Sequence, residues 1–242
     1  RGARRHRPAA RRAGPEYRPD AVHASTDLKK LADRVARWKA GAGVGLSLCL
    51  YGRSGTGKSE YVHYLAKRLG LPAVVKRPSD IESKWVGETE QNIARAFRKA
   101  EAAQGILLFD EVDTLLRDRR GAQAQWELGF VNEFLQQLEA FRGFVACTTN
   151  LFQDLDQAAL RRFTFKVEFL APKPEQLPAL FAAHLGGLLP SPADLPAPEP
   201  LLRQLRAIGE LVPGDFAVVA RKAAILDGPW TVEALLQELA GE

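Results

Sequence analysis

Hydrophobic and polar positions alternate in blocks along this chain. Short, almost wholly apolar runs occur at 44–51, 73–76, 106–109 and 144–149, and stretches with a helical period separate them near 58–69, 89–104 and 123–139. An apolar run that short offers no face to water, so each predicts a strand buried on both sides. Such strands alternating with helices predict βαβ units and a parallel sheet covered on both faces. "FTFKVEF", 163–169, alternates polar with apolar and predicts a fifth strand. Near the start, "DLKKLADRVARWKAG" predicts a helix with Leu28, Leu31, Val35 and Trp38 on one face, Asp27 as N-cap and Gly41 as stop. Beyond Pro172 and Pro174 the pattern is helical only, at 175–185, 199–211, 214–226 and 231–240. The expected organisation is a tail over 1–16, an α/β domain over 17–171 and a small helical domain over 172–242.

Composition sharpens this picture in few places. With 242 residues, 46% of them apolar, the chain can fill one sizeable core, or a larger and a smaller one. No run approaches a membrane span, and no signal-peptide pattern is present. The Arg1 start and the lack of methionine read as a fragment of a longer chain. The net charge of +5 is carried by Arg1, Arg4, Arg5, Arg7, Arg11 and Arg12, which leaves the rest near neutral. Such a tail reads first as a solvated arm or linker, and second as a contact for nucleic acid. Cys49 and Cys147 stand singly in apolar stretches and read as small buried hydrophobes of a reducing, cytoplasmic compartment.

The candidate chemistry begins at "GRSGTGKSE", 52–60, between the first strand and a helix. Gly52-x-x-x-x-Gly57-Lys58-Ser59 is a complete P-loop spacing. Glycines such as Gly55 let the backbone curl and clear space for a phosphate. The N–H groups of Ser54, Gly55, Thr56, Gly57, Lys58, Ser59 and Glu60 then cradle the anion at a helix N-terminus. Lys58 reaches the β- and γ-phosphates, and Ser59 offers its hydroxyl to Mg²⁺. "ILLFDEVD" is a buried strand ending in Asp110, a second support for Mg²⁺, and Glu111, which orients and polarises the attacking water. "VACTTN" is a further buried strand ending in Asn150, placed to hold that water or touch the γ-phosphate if its strand neighbours the P-loop strand; an ordinary strand-ending turn is the alternative. Trp126, Phe130, Phe134 and Leu138 fall on one helix face and read as core.

Four stretches together, "GRSGTGKS", "SKWVGETEQNIARAFRKA", "ILLFDEVD" and "TTNLFQDLDQAALRRF", resemble in order and separation the AAA+ superfamily, and within it the AAA clade of protein-remodelling ATPases. The resemblance covers about 44–170 and, more weakly, the helical tail. It implies a P-loop NTPase fold with a helical lid, Mg²⁺-dependent ATP hydrolysis, and a homo-oligomeric ring, of six subunits in this clade, that threads a protein substrate through its pore. Asn150 would be the γ-phosphate sensor, and Arg161 and Arg162 match the arginine-finger segment that reaches a neighbour's nucleotide. Lys84, Trp85, Val86 and Gly87 look like the central pore loop. "RDRRGAQ", 117–123, is either a second substrate-facing loop or a solvated basic turn. Adenine contacts would come from "YRPDAVHA", 17–24. The chain departs from the clade at Arg53 and Ser54, where two prolines are usual, in the shortened "RRFTFKV", and in "VPGDFAVVARKA" at the start of the lid helix. Two rival functions stand beside the motor: a nucleic-acid loader or motor that uses the Arg-rich tail, and a non-hydrolysing scaffold whose assembly nucleotide controls.

Overall fold

The structure is a computed structural model and describes residues 17–38, 44–85, 87–113, 115–116, 125–226 and 229–242, with side chains in the helix from 125 described from 129 onward. The basic tail, Gly41, Val86, the 117–123 loop and the Trp126 side chain lie outside the described residues.

Five strands form one parallel sheet: β1 Leu46–Gly52, β2 Ala73–Lys76, β3 Ile106–Phe109, β4 Phe144–Thr149 and β5 Phe165–Phe169, in the order β2-β3-β4-β1-β5. The apolar runs divide residue by residue between the two faces. Leu48 and Leu50 of β1, with Leu108 of β3, meet α1 (Leu28–Arg37) and α2 (Lys58–Leu69) on one side. Cys49, Leu107 and Phe109 meet α3 (Glu88–Ala102) and α4 (Gln125–Ala140) on the other. Both faces are therefore core, which is why these strands lack polar alternation. Cys49 and Cys147 are register partners, fully buried and free, and burial pushes the Cys49 thiol up to about 12. The buried Tyr61 hydroxyl donates to the Leu28 carbonyl at 2.8 Å and ties α2 to α1.

After α5 (Gln157–Arg162) and β5 the chain is helical: α6 Leu177–Leu185, α7 Pro198–Ile208, α8 Pro213–Ile225 and α9 Val232–Ala240, around a third core containing Phe181, Leu205, Phe216 and Leu235. Several predicted bounds shift for local reasons. α7 stops at Ile208, not at 211, because Gly209 takes φ +123° and turns the chain. α3 stops at Ala102 ahead of a turn with Gln104 at φ +47°. Trp38 follows α1 in extended backbone; its indole N–H donates to the Val44 carbonyl at 3.2 Å and its ring meets Phe144 edge-on. The segment 17–25 does not run free: Ala24 bridges Phe169 antiparallel, and Tyr17 is brought against Gly57.

Candidate nucleotide-binding site

The carboxyl ends of β1, β3 and β4 converge. β4 lies between the strand that precedes the glycine loop and the strand that ends in Asp110, as the reading of Asn150 required. The glycine loop needs its glycines. Gly52 (φ +129°) would set a Cβ 2.1 Å from the Phe169 carbonyl oxygen, and Gly55 (φ +77°) and Gly57 (φ +96°) hold left-handed backbone that side chains resist. The buried Thr56 hydroxyl donates to the Arg53 carbonyl at 2.8 Å and closes the turn. α2 then starts at Lys58, so its free N–H groups and dipole face the loop.

Lys58 is buried, and its ammonium donates to the carbonyls of Gly52 (2.6 Å) and Arg53 (2.9 Å) and to Oδ1 of Asn150 (2.8 Å). An ammonium can only donate, so the Asn150 amide is oriented oxygen-first. Burial pulls the Lys58 pKa down to about 8 against the opposing pull of Asp113, Asp110 and Glu111. The Ser59 hydroxyl donates to Asp110 Oδ1 at 2.5 Å, and the Thr148 hydroxyl donates to the same oxygen at 2.7 Å. Thr148 Oγ1 in turn accepts the Glu111 N–H at 2.9 Å. Glu111 has φ +61°, a strained setting for a side-chain-bearing residue, and its side chain is exposed. Strain of about 1–3 kcal/mol kept at one acidic residue beside a phosphate loop points to function. Ser54 and Glu60 are exposed and add no side-chain hydrogen bond to the cradle.

The site residues fit a phosphate and a hard cation. Main-chain N–H groups at the start of α2 follow a loop whose glycines leave it open, and Ser59 and Asp110 offer adjacent oxygens. Among the described residues no cluster of three or more acidic, histidine or cysteine groups could cage a metal. One or two protein oxygens completed by phosphate is the arrangement magnesium favours.

Two predicted groups stand elsewhere. α5 ends at the amino edge of the sheet, where Ser47 Oγ donates to the Arg162 carbonyl at 3.1 Å and accepts the Thr164 N–H at 3.0 Å. The Arg162 guanidinium is occupied within the chain, by Glu139 and by the Ala158 carbonyl at 2.8 Å. Arg161 is exposed and has no hydrogen bond or ion pair among the described residues. Lys84 and Trp85 lie in the β2–α3 connection. Trp85 is 75% exposed, and Gly87 caps α3 with φ +81°. Ser83 shapes this loop by donating to Glu88 and accepting the Trp85 N–H at 3.3 Å.

Sequence reasoning missed Ser47, Thr148 and Asp113, each of which binds across long sequence separations. It also missed the seat of α8 on the glycine loop. The Gly214 N–H donates to the Gly55 carbonyl at 2.8 Å, and a Cβ on Gly214 would fall 2.9 Å from the Gly55 Cα. Arg53 pairs with Glu210 at 2.6 Å beside this contact, an exposed pair worth at most about 1 kcal/mol.

Strand order, glycine loop and the Ser59–Asp110 junction define a P-loop nucleotide-binding fold. The family described as "ATPase family associated with various cellular activities (AAA)" matches residues 48–170, and the chain belongs to it. Relatives include protein ORF529 of Acidianus two-tailed virus, 40% identical over 54% of this chain and 27% of that protein. Vacuolar protein sorting-associated protein 4 of Dictyostelium discoideum is 30% identical over 57% of this chain and 33% of its own length. Spastin of Drosophila melanogaster is 32% identical over 74% of this chain and 24% of its own length. The chain thus spans a third or less of each of these relatives. Among solved structures, the FIGL-1 AAA domain in complex with ADP superposes with a TM-score of 0.63 over 90% of this chain and 82% of that one, at 22% identity, a likeness of fold. No helix among the described residues is long and apolar enough to cross a membrane.

Proposed function

We propose that this chain is the motor module of a ring-forming ATPase that hydrolyses ATP with magnesium and remodels a protein substrate in a reducing, cytoplasmic setting. ATP phosphates lie along the N–H groups of 54–60, and Lys58 exchanges its bonds to Gly52, Arg53 and Asn150 for phosphate oxygens. Ser59 and Asp110 would hold magnesium, which would supply charge neutralisation at the phosphates. Glu111 takes up a proton from the attacking water as its oxygen bonds to the γ-phosphorus and the bond to the ADP oxygen breaks. Asn150, released from Lys58, reads the γ-phosphate. The helical part from about 172 acts as a lid seated on Gly55, and Trp85 grips the substrate as an exposed apolar surface that reads no sequence.

The observation that carries the ring is the distance between the two edges of the sheet. Ser47, which holds the Arg162 carbonyl, stands five residues before Gly52 on β1. At roughly 3.3 Å per residue that is about 17 Å, so Arg161 sits beyond reach of its own glycine loop, which supports a role at a neighbour's. The experiment is mass measurement of the Glu111→Gln chain with and without magnesium-ATP, alongside turnover of mixtures of Arg161→Ala and Lys58→Ala chains. A shared site predicts assembly with ATP and recovered turnover in the mixture, because intact loops meet intact fingers. A monomer that hydrolyses ATP at full rate, or mixtures as inactive as their components, refutes it. The relative named for vacuolar protein sorting favours a polypeptide as substrate.

A further inference from the structure

Asn150 is the first residue beyond β4, where the ladder to β1 and β3 has ended. Its backbone is nevertheless held. Oδ1 of Asp113 accepts the Asn150 N–H at 3.1 Å and the Leu151 N–H at 3.2 Å, and also receives the Thr149 hydroxyl. Thr149 Oγ1 accepts the Leu151 N–H at 2.9 Å as well. Three donors therefore converge on one carboxylate oxygen directly beneath the side chain that bonds Lys58. Thr149 is fully buried, so this clamp is anchored in the core. A carboxylate suits the task, because a charged acceptor makes bonds roughly twice as strong as a neutral one.

We infer that Asp113 is a positioning residue: through the backbone of Thr149–Leu151 it aims the Asn150 amide at Lys58 and at the γ-phosphate. The inference rests on the proposed ATPase reading of the site. It assigns Asp113 no contact with nucleotide and no proton. The same carboxylate leads the negative charges acting on Lys58, ahead of Asp110 and Glu111, consistent with its place under the centre of the site.

The test compares Asp113→Ala, Asp113→Asn, Asn150→Ala and the double variant Asp113→Ala/Asn150→Ala. Turnover is measured with magnesium-ATP per binding site, the sites being counted with a fluorescent ATP analogue. Misplacement of a catalytic group by about 1 Å costs on the order of 100-fold, so Asp113→Ala and Asn150→Ala each lose about that factor in kcat with the KM for ATP little changed. The double variant loses no more than Asn150→Ala alone. Asp113→Asn, which keeps an acceptor oxygen, falls between wild type and Asp113→Ala. Losses that multiply in the double variant, or a full kcat per counted site in Asp113→Ala, overturn the inference. A second readout needs no turnover: amide exchange at Asn150 and Leu151 in the nucleotide-free chain accelerates about tenfold or more in Asp113→Ala. Unchanged exchange there refutes the clamp even if the chain proves not to hydrolyse ATP. A wild-type chain that fails to hydrolyse ATP, with exchange accelerated as expected, removes the ATPase reading and leaves the clamp standing.

Discussion

At the carboxyl edge of the sheet, side chains bind one another, Lys58 to Asn150, Ser59 to Asp110 and Thr148 to Asp110, and Thr148 also accepts the Glu111 backbone N–H. At the amino edge, 115 residues of sequence separation are closed by Ser47 only to hold backbone at Arg162, and Arg161 is left exposed. One edge is a preorganised net around a space for anions; the other leaves cations such as Arg161 and Arg142 exposed. Parallel strands explain the division. Their carboxyl ends feed helix N-termini, which attract phosphate, whereas their amino ends offer no such convergence of N–H groups. On the proposed reading, a chain built this way carries the larger part of one site and a small part of another.

The sharpest way to break this comparison is Arg161→Ala beside Arg162→Ala. Arg161→Ala lowers steady-state turnover by about 10³–10⁵-fold with an unchanged Tm. Arg162→Ala removes a partly exposed pair and one carbonyl contact, so it costs about 1–2 kcal/mol in urea denaturation. A reversed pattern would mean that the tandem has been assigned the wrong way round. On the opposite edge, Glu111→Gln lowers turnover by about 10²–10⁴-fold while fluorescent-ATP binding persists. Equal turnover in that variant ends the role given to Glu111. Ser47→Ala unpins the finger segment and orphans the Thr164 N–H, lowering stability by about 1–3 kcal/mol in the same denaturation assay.

The smallest effect lies away from both edges. His184 of α6 is half-buried beside Phe216, its Nδ1 is buried without a hydrogen-bond partner among the described residues, and burial lowers its pKa. The folded chain then resists protonation that the unfolded chain accepts, so stability is greatest above the ordinary imidazole value of about 6.5 and declines as pH falls below it. Urea titrations at pH 7.5 and 5.5 should show a loss of under about 1.4 kcal/mol that His184→Leu abolishes, with Arg161 and Glu111 phenotypes untouched.

The sheet was legible in the sequence because each strand announced itself by a local apolar run, and the glycine loop because its residues act within nine positions. The cradle, Asp110, Glu111 and the placement of Asn150 beside the loop followed from that. What escaped was chemistry between distant positions. Asp113 sits in the quoted "ILLFDEVD" stretch, yet its partner Thr149 is 36 residues away. Arg161 and Arg162 are adjacent in sequence and equal in charge; Glu139, on another helix, and the Ala158 carbonyl engage Arg162 and leave Arg161 exposed. The partner of Arg53, Glu210, lies 157 residues further on, out of reach of any local pattern. The bounds of α7 moved because a glycine's φ, here that of Gly209, is set by the turn it makes and not by composition.

The contact between Gly55 and Gly214 is two bare backbones touching, joined by one hydrogen bond. Beside it, among the described residues, only the Val212 side chain crowds Gly55 and one exposed ion pair, Arg53–Glu210, spans the gap, so little holds α8 there beyond that bond. The contact also tolerates no bulk: a methyl group on either glycine works as a wedge. Whatever repositions the Gly55 carbonyl is felt at once by the first turn of α8, which makes this crossing a bearing through which strain at the loop becomes rotation of the helices beyond it.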